Sequence, residues 1–224
     1  MRENPLITGE VYHIFNKSIA DFIIFNHLQE YERMILAIRY YMVKEHDNCL
    51  ARFLESNQKE GQDVNTILKA YLNEKPKLVD LIAYCIMPTH IHLILKQLQQ
   101  NGISTFINNL LNSYTRYFNR KHKRKGPLWE GRFKSVIVKD DEQLLHLTRY
   151  IHLNPATAFL TNKPESWVAS SYKEYLQYDA LMGICNFRGI LNISPHEYRQ
   201  FIENRISYQR ELAKIKELVV ENPL

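Results

Sequence analysis

Glycine is scarce in this 224-residue chain, with only 7, and cysteine scarcer still. The three cysteines, Cys49, Cys85 and Cys185, are scattered. No pair has metal-ligand spacing, which excludes a disulfide framework or a zinc knuckle and suits a reducing compartment. No run approaches the roughly 18–20 consecutive apolar residues of a membrane span. The N-terminus, Met1-Arg2-Glu3-Asn4-Pro5, is not followed by the apolar core of a signal peptide. The expectation is a cytoplasmic, soluble protein with no membrane partner. There is also no internal repeat and no low-complexity tract. Acid is missing locally. Across Arg116–Lys134 the single carboxylate is Glu130, against eight Lys/Arg.

What is present begins with ordinary globular proportions: 45% hydrophobic, 24% charged, a net charge of +5, and 14 tyrosines. That length suits one domain with additions. A surplus of positive charge favours an anionic partner, and its clustering at residues 116–134 points to phosphate. Trp129 and Phe133 interleave with the cations there, as in surfaces that hold unpaired bases. The cations in question are Arg116, Arg120, Lys121, Lys123, Arg124, Lys125, Arg132 and Lys134. A solvated loop after a helix, with Trp129 and Phe133 as core anchors, is the plainer alternative.

Taken in order, residues 10–16 read as a strand, with His13 and Asn16 as ordinary strand and turn residues. A helical period covers 29–44. Residues 46–77 turn polar, with two short helical pieces, and read as an insertion between core elements. Residues 78–87 form an apolar run of buried-strand length. Pro88-Thr89 breaks it, and 90–96 is the returning arm of a hairpin. An amphipathic helix follows over 103–118, then a strand over 133–139. A helix over 142–153 starts at an acidic first turn and stops at Asn154-Pro155. A short segment at 172–176 and a helix from Ser194-Pro195 past Ile206 complete the chain. The order β-α-β-β-α-β predicts an α+β fold, a ferredoxin-like antiparallel sheet with helices packed on one face. Residues 1–180 form the expected catalytic domain and 181–224 a helical extension.

Three side-chain groups carry chemistry. His90 and His92 are two apart at the start of a strand, so both imidazoles point to one face while Ile91, Leu93 and Leu95 pack the other. Such a pair can ligate a divalent metal, though alone it is weak evidence. On the 142–153 helix, Leu144, Leu147, Thr148 and Ile151 form the buried stripe. Tyr150 and Asn154 lie four apart on an adjoining face. A tyrosine beside a short amide suits a nucleophile next to a third metal ligand, although packing and helix-terminal roles explain them too. A free phenol titrates near 10 and needs help to attack at neutral pH. Tyr114, Tyr117 and Tyr84 fall on apolar faces and read as core.

Three stretches together resemble a known family: Cys85-Ile-Met-Pro-Thr-His-Ile-His-Leu-Ile-Leu95, Leu128-Trp-Glu-Gly-Arg-Phe-Lys-Ser135 and Arg149-Tyr-Ile-His-Leu-Asn-Pro155. Their order and spacing are similar to those of the single-tyrosine HUH transposases of the IS200/IS605 type, above all the REP-associated tyrosine transposases. The resemblance spans about residues 8–176, with 46–77 longer than the usual connection. It implies that His90, His92 and Asn154 bind Mg²⁺ or Mn²⁺, with Asn154 in a place where some members carry Gln. It implies that Tyr150 attacks single-stranded DNA to give a 5′-phosphotyrosine and a free 3′-OH. Single-stranded or hairpin DNA is then the partner. A homodimer is one arrangement it admits, since some members exchange the tyrosine helix between subunits and others act as monomers. Two other functions fit the residues: a catalytically inactive hairpin-DNA-binding module, and a His-x-His metal phosphohydrolase acting through bound water.

Overall fold

The computed structural model describes residues 5–46, 48–59, 63–176 and 183–206. Four strands form one antiparallel sheet in the order β2-β3-β1-β4: β1 Val11–Lys17, β2 Val79–Ile86, β3 His90–Gln97 and β4 Lys134–Val138. Helix α1 (Leu28–Tyr41) follows β1, and α4 (Gly102–Lys121) follows β3. These are the elements and the antiparallel sheet expected from the sequence. The polar stretch between α1 and β2 carries α2 (Leu50–Lys59) and α3 (Val64–Glu74), so the inserted segment adds a helical pair.

Alternation along each strand sorts the side chains between two cores. Tyr12, Ile14, Ile91, Leu93 and Leu95 join α1 and α4 in the larger one, with Met34, Ile38, Phe106, Leu110 and Tyr114. The alternate positions Cys85, Ile94 and Val138 join a second core with Leu144 and Ile151 of α5 (Asp141–Thr157). Tyr172 and Tyr175 of α6 (Tyr172–Leu176) and Tyr198 and Ile202 of α7 (Pro195–Glu203) complete it. Between Leu81 and Ala83 the β2 register shifts, so Ile82 and Ala83 both turn to this second core.

The expected helical layer on one face is therefore α1 with α4. A second layer, α5 to α7, covers part of the opposite face. Periodicity showed that α5 has a buried stripe but could not say which side of the sheet receives it.

Helix α5 also runs further than expected. It passes through Pro155 and ends at Thr157, not at Asn154. Proline removes the backbone donor that would have bonded one turn back. Here Ala158 N–H still bonds to Asn154 O and Leu160 N–H to Pro155 O, at 2.9 Å each. The N-terminus is fixed by Asp140, whose carboxylate accepts from the Gln143 backbone N–H at 2.7 Å. Helix α7 starts at a Ser194/Glu197 capping box and ends at Glu203, and its expected continuation past Ile206 lies outside the described residues. No helix among the described residues is long and apolar enough to cross a membrane.

Candidate active site

The tight turn Met87-Pro88-Thr89-His90 reverses β2 into β3, closed by Met87 N–H to His90 O at 2.8 Å. It starts β3 with His90, so His90 and His92 share one face, as expected. Their ring centroids are 5.0 Å apart. Thr89 Oγ1 lies 3.0 Å from His90 Nδ1. The face they share is the one that α5 covers.

Tyr150 of α5 comes to the same place. Its ring meets that of His92 edge-on, 5.9 Å between centroids. Tyr150 remains 46% exposed, whereas Tyr114 is fully buried with its hydroxyl donating to Ile24 O at 2.6 Å. The phenol is thus held beside the histidines by its own chain and stays open to solvent. Burial of its inner side raises its pKa above the ordinary value. Asn154 lies one turn along α5 from Tyr150, with its amide nitrogen buried and without a hydrogen-bond partner among the described residues.

One residue of the site was read from sequence as ordinary. His13 of β1 stacks on His92, with its Nε2 3.0 Å from His92 Nδ1. Its ring also meets Tyr150 edge-on at 6.4 Å. The pairing of β1 with β3 creates this contact, since His13 lies opposite Ile94 and diagonal to His92. Nothing in the local sequence marks it, and only the strand register does. Phe15, directly opposite His92, adds a further ring at 6.0 Å.

Burial depresses the basicity of all three imidazoles. His13 falls to about 4. His90 falls too, its burial outweighing the attraction of Asp21. His92 falls well below the ordinary value, by burial first and then by the neighbouring His90 and His13. Neutral imidazole is the form that ligates metal. His90 and His92 offer two such nitrogens, and nitrogen donors favour Mn²⁺ over the oxygen-seeking Mg²⁺. Among the described residues no group of three or more His, Cys, Asp or Glu is placed to hold a metal.

Beside the histidines opens a cavity of about 440 Å³, lined by Phe15, Lys17, His90, His92, Arg132 and Lys134 among others. Lys17, not singled out from sequence, pairs with Glu130 at 3.2 Å. The other expected DNA-binding cations lie elsewhere. Arg124 folds back on its own loop, donating to Asn119 Oδ1, Gly126 O and Pro127 O. Lys121 pairs with the buried Glu30 at 3.0 Å. Trp129 is buried and its indole N–H donates to Leu111 O, so it is a core anchor and not a stacking platform.

The Tyr150 helix is pinned from behind. His152, fully buried, lies between Tyr198 Oη of α7 and Ser171 Oγ, 2.7 Å from each. Arg149 packs over the Phe201 ring at 4.0 Å.

Residues 52–154 match the model of a family described as "Transposase IS200 like". The matched segment is thus similar to the IS200-like transposases. It contains the histidine pair, the basic segment, Tyr150 and Asn154. A protein of Haemophilus influenzae named "Putative REP-associated tyrosine transposase" is 29% identical over 104 residues. That alignment takes in 42% of this chain and 58% of the relative, so the chain spans a little over half the length of the curated protein it matches. A solved structure described as a REP-associated tyrosine transposase bound to a REP hairpin aligns over 84% of this chain and 88% of its own. Its identity is 14% and its TM-score 0.49.

Proposed function

We propose that this IS200-like chain is a metal-dependent DNA transposase that cuts and rejoins single strands through Tyr150. The observation that carries the reading is the placement of a half-exposed Tyr150 against His92 within one chain, with His92 lining a cavity that holds Lys17, Arg132 and Lys134 against Asp21 and Glu130.

The phenol oxygen attacks a DNA phosphorus and loses its proton. The bond from phosphorus to the 3′ oxygen breaks, and that oxygen leaves as a 3′-OH. The product is a 5′-phosphotyrosine. A 3′-OH attacking the same phosphorus reverses the step and restores Tyr150, so no nucleotide energy source is required.

Each side chain has a task in this scheme. Lys17, Arg132 and Lys134 supply positive charge where a phosphate backbone passes. His90 and His92, kept neutral by burial, and Asn154 would hold a divalent metal, Mn²⁺ suiting the nitrogen donors better than Mg²⁺. When bound, the metal polarises the phosphate and favours the phenolate, which the raised pKa of Tyr150 otherwise opposes. His13 fixes the orientation of His92. The partner is single-stranded or hairpin DNA, the polyanion a transposase of this kind would cut.

The test is a covalent-adduct assay. The wild-type chain with a labelled DNA hairpin and Mn²⁺ should give a protein–DNA species that survives denaturing electrophoresis. Tyr150→Phe should give none. DNA binding without an adduct in the wild type would assign the chain as an inactive hairpin-binding module. Turnover of phosphoesters that survives Tyr150→Phe would assign a metal hydrolase.

A further inference from the structure

The turn that delivers His90 to the site is clamped from a second direction. Ser18 N–H bonds to Thr89 O at 2.8 Å, and the Ile24 and Phe25 N–H groups bond to Pro88 O at 2.9 and 3.1 Å. The segment between β1 and α1 thus holds Pro88 and Thr89 by main-chain bonds, while Met87 and His90 close the hairpin itself. The Thr89 side chain therefore starts from a fixed point, and its branched Cβ leaves it few rotamers. The one it adopts puts Oγ1 3.0 Å from His90 Nδ1.

Among the described residues that hydroxyl is the sole hydrogen-bond partner of the His90 ring. Asp21 and Lys17 act on the ring by charge alone. His92 is engaged in the same way by a different element, its Nδ1 lying 3.0 Å from His13 Nε2. Both histidines thus have Nδ1 occupied and Nε2 without a hydrogen-bond partner among the described residues.

A threonine hydroxyl can meet a neutral imidazole in two ways. If Oγ1 donates to Nδ1, the ring proton sits on Nε2 and neither nitrogen is left to bind a cation. If Nδ1–H donates to Oγ1, Nε2 keeps its lone pair. The surroundings favour the second direction. Thr89 is only partly buried and lines the cavity, so its hydroxyl hydrogen can still reach solvent. Both carboxylates of the cavity are turned to Lys17, Glu130 at 3.2 Å and Asp21 at 3.9 Å. Arg132 and Lys134 line it with no ion pair among the described residues. A surplus of positive charge favours a lone pair over an N–H on the open ring nitrogen.

We propose that Thr89 is a positioning residue: its Oγ1 accepts from His90 Nδ1–H and so reserves the Nε2 lone pair of His90 for a divalent metal. The inference rests on the metal-dependent reading above. With His13 on the Nδ1 of His92, the two histidines offer the same ring nitrogen to one ion.

The test uses the full chain and reads the tautomer first, without metal or DNA, at neutral pH. Long-range proton–nitrogen correlation spectra of the labelled histidine rings separate a proton on Nδ1 from one on Nε2, and His90→Gln identifies the His90 signals. The wild type should carry the His90 proton on Nδ1. Thr89→Val keeps the shape and loses the hydroxyl. It should shift His90 toward the Nε2–H form and weaken Mn²⁺ binding about tenfold, read by electron paramagnetic resonance titration without DNA. Thr89→Ser should restore both. A wild-type His90 protonated on Nε2 would overturn the proposal, as would a Thr89→Val chain with the wild-type tautomer and Mn²⁺ affinity. A Thr89→Ser chain as impaired as Thr89→Val would assign Thr89 to packing of the turn and also overturn it. A wild type that takes up no Mn²⁺ but shows the Thr89-dependent tautomer would sink the metal-dependent reading and leave the hold of Thr89 on His90 standing.

Discussion

His13 Nε2 and His92 Nδ1 are 3.0 Å apart. Both rings are neutral at physiological pH, so one of the two nitrogens carries the shared proton. If His92 Nδ1 donates it, His92 Nε2 is left as a lone pair, the form a metal ligand needs. His13→Ala should therefore weaken Mn²⁺ binding by about 10- to 100-fold, read by electron paramagnetic resonance titration in the absence of DNA. His13→Gln, which can still accept from His92, should recover part of the loss. An unchanged Mn²⁺ affinity in His13→Ala would remove His13 from the site.

Tyr150 contributes little to folding. Because it is half-exposed, Tyr150→Phe should shift unfolding free energy by no more than about 0.5 kcal/mol, measured by urea denaturation. Loss of the covalent adduct with unchanged stability and unchanged DNA affinity separates chemistry from structure.

Glu30 sets an acid limit to stability. It is fully buried at the start of α1, where burial pulls its pKa up. Hydrogen bonds from His122, the Asn26 N–H, Lys121 and the His27 N–H outweigh that and hold it at about 2. A carboxyl depressed on folding binds fewer protons folded than unfolded. Its stabilisation is complete above the unfolded value near 4.5 and is lost as pH falls from there toward 2. The melting temperature should therefore drop as pH falls from about 4.5 toward 2. Glu30→Gln should be less stable at pH 7 and show a shallower drop.

The link between His152 and Tyr198 predicts a different cost. Tyr198→Phe removes one of two partners from a fully buried imidazole, at about 1–3 kcal/mol. Equilibrium unfolding measures this directly. Because His152 is two residues from Tyr150, adduct yield should fall more in Tyr198→Phe than in a core variant of equal instability elsewhere, such as Ile107→Val on α4.

Much of this was legible in the chain. The hairpin at Pro88-Thr89, the side-by-side His90 and His92 and the exposure of Tyr150 all follow from strand and helix periods that depend on neighbours in sequence. His13 and Lys17 were not legible. Their place in the site depends on how β1 registers against β3, a relation between residues about 80 apart. The basic segment misled in the other direction. Eight cations contiguous in sequence read as one surface, but α4 carries the first of them on the helical layer, while the 127–133 loop crosses the sheet edge and delivers the last two to the histidines.

The packing of α7 against the back of α5 has a kinetic consequence. A tyrosine helix anchored by its own chain through Tyr198 and Phe201 needs no second molecule to reach the histidines. Cleavage should then be first order in protein, with the same turnover per chain on dilution through the nanomolar range. An inactive Tyr150→Phe chain mixed with an inactive His90→Ala chain should not restore activity.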